Sequence, residues 1–98
     1  MKRFSVNLSL LGLSENEVKD NLSSLIAALS LREYLYNPKI SWDREKAKLV
    51  AILESDGLDA KRTGLAVYDD FFETIVAVIH FSSEDGITLN VDAVKELN

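Results

Sequence analysis

The sequence predicts an α+β fold with elements in the order β-α-β-β-α-β. Three observations carry that expectation. Phe4–Leu10, Lys39–Asp43 and Ile87–Asp92 alternate apolar and polar residues with the period of a half-buried strand. Two longer segments repeat apolar residues every three or four positions, as an amphipathic helix does. The two halves also echo each other: a strand leads into Gly12-Leu13-Ser14 and a helix, then another into Gly57-Leu58-Asp59 and a helix. Two such βαβ halves related by a pseudo-twofold make a ferredoxin-like sandwich. Right-handed crossovers then place both helices on one face of a four-stranded antiparallel sheet. Residues 1–98 are expected to form a single domain.

The first strand sets Phe4, Val6, Leu8 and Leu10 against Ser5, Asn7 and Ser9. Gly12 ends it. Ser14 and Glu17 have the S-x-x-E spacing of a capping box, which opens a helix with Val18, Leu22, Leu25, Ile26 and Leu29 as its apolar stripe. That helix runs to about Ser30. Leu31–Tyr36 reads either as a last helical turn or as an extended loop, and Asn37-Pro38 breaks whatever precedes it. Lys39–Asp43 is a short strand with Ile40 and Trp42 on one side. Ala47–Ser55 follows as a strand apolar on both parities, with Leu49, Ala51 and Leu53 on one and Val50 and Ile52 on the other, which places it inside the sheet. Asp56-Gly57 reads as a turn. The last strand carries Ile87, Leu89 and Val91, and 93–98 has little pattern.

The second helix is expected over Leu58–Phe81, with Asp59 as its N-cap. Leu65, Tyr68, Phe72, Ile75 and Ile79 make its core stripe; Gly64, Val67, Phe71 and Val78 make a second stripe beside it. The combined arc is wider than the usual ~100°. It therefore predicts that Val67, Phe71 and Val78 bury against a partner. A helix of that length also overhangs a seven-residue strand by about 13 Å. A rival reading makes the β-branched stretch Ile75–Phe81 a strand.

Composition narrows the function classes. There is no cysteine, hence no disulfide, thiolate metal site or cysteine nucleophile, which fits a reducing, cytoplasmic setting. The formal net charge of −5 disfavours nucleic acid or an anionic membrane as partner. The expected open-face residues Ser5, Asn7, Ser9, Val50 and Ile52 include no aromatic on which a base could stack. No G-x-G-x-x-G, P-loop or G-x-S-x-G motif occurs. The Gly12 turn before the first helix suits a small anion only by fold-level analogy.

Three groups of side chains are candidates for chemistry. His80 shares the polar side of the second helix with Asp69 and Glu73, though it stands about 10 Å along the axis from Glu73. The ordinary reading is a histidine in a last helical turn and a solvated acidic face; the sharper one is acid–base work by His80 with a carboxylate. Tyr34, Tyr36 and Trp42 surround Pro38 and either line a ligand pocket or pack at the edge of the core. Val50, Ile52, Val67, Phe71 and Val78 form the expected interface. No metal site and no cofactor are expected. The resulting expectation is a small non-enzymatic binding or regulatory module that acts as a homodimer or on a protein partner. The alternative is a small-molecule sensor or small enzyme using His80.

Overall fold

A computed structural model describes residues 1–79 and 86–97. Six elements follow the expected order: β1 (Lys2–Leu11), α1 (Glu15–Ser30), β2 (Leu35–Asp43), β3 (Lys48–Gly57), α2 (Ala60–Val78) and β4 (Thr88–Leu97). The strands form one sheet in the order β2-β3-β1-β4, and every neighbouring pair is antiparallel. This four-stranded sheet with two helices is consistent with a ferredoxin-like arrangement. The central strands are β1 and β3, as the two-sided apolarity of β3 predicts. No described helix is long and apolar enough to cross a membrane.

The core is one cluster. Val6, Leu8 and Leu10 of β1, Leu49, Ala51 and Leu53 of β3, Leu35 of β2 and Leu89 of β4 meet Val18, Leu25 and Leu29 of α1 and Val67, Phe71 and Ile75 of α2. The capping box forms as its spacing predicts. The Ser14 hydroxyl accepts from the Glu17 N–H at 3.1 Å, and the Glu17 carboxylate accepts from the Ser14 N–H at 2.9 Å. Two orphan donors of the first turn are thereby satisfied.

The second helix differs from expectation in its rotational setting. Val67 and Phe71 are fully buried, whereas Leu65 is 58% and Phe72 36% exposed. Two features that apolar periodicity does not weigh decide this. Thr63 and Thr74 are buried, and each hydroxyl donates to the carbonyl four residues back, Asp59 at 2.7 Å and Asp70 at 2.8 Å. Their polar atoms are therefore satisfied inside the core at little cost. Gly64 presses the helix onto β4: a Cβ there would stand 3.0 Å from Val94 Cγ2. The stripe Thr63–Gly64–Val67–Phe71–Thr74 thus faces inward, and Leu65–Phe72 faces out.

Helical structure continues through Ile75–Val78, with Ile79 as the C-cap; Phe81 and His80 lie outside the described residues. The expected overhang disappears. Nineteen residues of helix span about 28 Å and ten of strand about 33 Å. The strands are simply longer than their alternating stretches.

Three boundaries shift for identifiable reasons. β2 begins at Leu35, before Asn37-Pro38, and accommodates the proline by a register break between Tyr36 and Lys39. Asn37 adopts φ +51°, a conformation asparagine tolerates, and an edge strand can lack one N–H. Asp56 and Gly57 are not a turn but the end of β3, with Gly57 opposite Lys2. β4 continues to Leu97 because a bulge falls at Asp92: Asn7 pairs with Ala93 and Leu8 with Val91. The extra residue reverses the alternation, so Val94, five positions after buried Leu89, also packs against the core.

Candidate interaction surface

The outward setting of α2 leaves an apolar flank. At 100° per residue Lys61, Leu65, Phe72 and Val76 fall within about 60° of one another. Leu65, Phe72 and Val76 are all exposed, and Val91 of the adjacent β4 joins them. Tyr68 stacks against Phe72, with ring centroids 6.4 Å apart and planes 7° from parallel. Between helix and strand lies a groove of about 220 Å³ lined by Ala60, Lys61, Gly64, Leu65, Val91 and Val94. A contiguous apolar patch of this kind is the usual mark of an interaction site, unlike apolar residues scattered singly.

The expected interface residues are distributed differently. Val67 and Phe71 are fully buried in the chain's own core and offer a partner no surface. Val78 is half-buried against that core. Val50 and Ile52 lie on the opposite side of β3 from Leu49, Ala51 and Leu53, half-buried. Their cross-strand neighbours are Ser9 and Ser41 for Val50, and Asn7 and Lys39 for Ile52, so polar side chains surround them.

The three aromatics around Pro38 do not converge. Tyr34 sits in the turn before β2, where its hydroxyl accepts from Arg32 Nη1 at 3.3 Å. Trp42 packs against the core beside Leu49. Tyr36 lies in the sheet opposite Glu54, under the Arg3 guanidinium, which stands 3.8 Å from the ring centre.

Tyr36 belongs to a polar clamp that periodicity gives no hint of, because only strand register assembles it. Arg3 Nε donates to Asp56 Oδ1 at 2.6 Å, and the Tyr36 hydroxyl donates to Asp56 Oδ2 at 3.2 Å. Asn37 Nδ2 donates to Glu54 Oε2 at 2.9 Å. The hydrogen bond from Arg3, together with its charge, holds the Asp56 carboxyl below its ordinary pKa; the same bond raises that of Arg3. The clamp joins β1, β2 and β3, and its donors and acceptors satisfy one another.

The acidic candidates Asp69 and Glu73 stay side by side, and Asp70 between them in the chain turns elsewhere. Asp70 takes a hydrogen bond at 3.0 Å from Nη1 of Arg32, in the turn after α1, with Glu73 3.7 Å from Nη2. Tyr34 first, then Asp70, raises the pKa of Arg32. Asp69 and Glu73 stand on the exposed side of α2, beside the ring pair of Tyr68 and Phe72. His80 lies outside the described residues. Among the described residues no group of three His, Cys, Asp or Glu side chains is placed to hold a metal ion. Compared with family models, curated proteins and solved structures, the chain finds no match in any of the three.

Proposed function

We propose that this chain is a small, non-enzymatic binding module that works as a self-associated pair of ferredoxin-like domains. In this reading residues 1–98 form one domain whose two helices cover a single face of the sheet. The observation that carries the reading is the exposed apolar flank of Leu65, Phe72, Val76 and Val91. Leaving four large apolar side chains together in water forgoes burial worth about 25 cal/mol per Å². A twofold contact covers the same patch on both copies at once. The titratable groups that the fold brings together, Arg3 with Asp56 and Arg32 with Asp70, are engaged with each other across strands or helices. They tie elements together, which suits a binding scaffold. A cytoplasmic setting accords with the lack of cysteine.

Sedimentation equilibrium between about 1 and 200 µM tests the proposal. The expected outcome is reversible dimerisation within that range. A single monomeric species throughout refutes it.

A further inference from the structure

We infer that the partner is a second copy of this chain, held by antiparallel α2 helices with Phe72 of each copy seated in the groove at Gly64 of the other; this rests on the self-association proposed above. The patch is self-complementary. It carries a part-exposed ring, Phe72, and an apolar hollow bounded by Gly64, Leu65, Val91 and Val94. The outer rim of the hollow, Leu65, lies on the same flank as the ring, seven residues or about 10 Å away along the helix. A twofold axis midway between them places each ring opposite the other copy's hollow. Gly64 forms its inner rim, where the helix lies close against Val94.

Charge runs in the same sense. Lys61 and Arg62 lie in the first turn of α2, whereas Asp69, Asp70 and Glu73 lie further along it. With Phe72 set against Gly64–Leu65, Glu73 of one copy falls opposite residue 64 of the other. Arg62 is two residues from that point, about 3 Å along the axis. Arg62 and Glu73 also share the solvent side of the stripe, about 20° apart. Each is exposed, and their bonds within the chain are long: Arg62 to Asp59 at 3.5 Å and Glu73 to Arg32 at 3.7 Å. Lys61 lies opposite Val76 of the other copy, where its methylenes can cover the valine. A parallel pairing instead sets like charges against like.

The free edge of β4 is a poorer alternative. Its bulge at Asp92 interrupts the ladder, and Asp92, Lys95 and Glu96 charge it. Both features discourage strand addition.

The test compares dimer dissociation constants by sedimentation equilibrium for the full chain and its variants. Phe72→Ala is expected to weaken the dimer at least tenfold. Arg62→Glu and Glu73→Arg are each expected to weaken it about fivefold, because each reversal strikes two symmetry-related contacts. The double variant Arg62→Glu/Glu73→Arg is expected to return to within about twofold of the original. Urea unfolding of each variant at submicromolar concentration confirms an intact monomer. A dimer indifferent to Phe72→Ala, or not rescued by the double reversal, overturns this geometry while leaving self-association standing. A wild-type monomer overturns both.

Discussion

Phe71 and Phe72 are adjacent, identical in type and opposite in setting, so truncating each in turn reads the rotation of α2 directly. Phe71 is fully buried. Its replacement by alanine removes the transfer energy of the ring and leaves a closed cavity, together costing about 3–5 kcal/mol. Phe72 is 36% exposed, so about two-thirds of its surface is buried. Complete burial of such a side chain contributes about 1.5–3 kcal/mol, which sets its loss at about 1–2 kcal/mol. No cavity forms, because the space left opens to water. The difference is about 2 kcal/mol, or about 8–16 °C in Tm for a domain of this size. Urea unfolding followed through Trp42, the single tryptophan, measures both variants. Protein held well below the micromolar range keeps dimer linkage out of the comparison. Equal losses, or a larger loss at Phe72, refute the inward setting of Val67 and Phe71.

Two further predictions concern other elements. Gly57→Ala places a methyl against the Thr63 side chain, the first buried residue of α2. It is expected to cost about 1–3 kcal/mol, and pairing it with Thr63→Ala is expected to cost less than the sum of the two singles; strict additivity in a double-mutant cycle rules out the contact. Asp56 has a folded pKa below its unfolded value near 3.9. Its contribution is therefore full above about pH 4 and fades as pH falls through the depressed value. The gap in urea midpoint between the native chain and Asp56→Asn is expected to be constant from pH 5 to 7 and to narrow as the pH falls below 4; a gap that does not narrow with acid contradicts the clamp.

Some of this fold is legible in local pattern. The Ser14–Glu17 box, the Val18–Leu25–Leu29 stripe and the alternation of β1 act between near neighbours, and each is found where its spacing places it. The element order and the inner position of β3 follow from them. The setting of α2 is not legible in the same way, because an arc half a circumference wide leaves two rotations nearly equal in apolar content. Thr63, Gly64 and Thr74 break the tie, by satisfied hydroxyls and by a missing side chain. Neither signal registers as hydrophobicity. The second half of β4 is hidden for another reason: a single inserted residue, Asp92, reverses its period. The candidate surface inherits the error in rotation. The expectation that α2 has more apolar surface than its own core can use remains in the proposal, but it moves to Leu65, Phe72 and Val76. The Arg3–Tyr36–Asp56 clamp depends on register among three strands and has no local trace.

The strand at the centre of the sheet, β1, has no partner close to it in the chain. Leu8 pairs with Ala51 on one side and Val91 on the other, about forty and about eighty residues away. The β2–β3 hairpin and the two helices can form from contacts within their own neighbourhoods, but the middle of the sheet closes only after large loops have been drawn in. That entropy is spent before the ladder returns anything. Pairing of β1 with β3 and β4 is therefore the step expected to limit the rate of folding. Until that pairing forms, Val6, Leu8 and Leu10 belong to a strand with two open edges, the state in which this chain is most exposed to pairing with its own copies in the wrong way. Crowding during refolding should matter more for this protein than its modest size suggests.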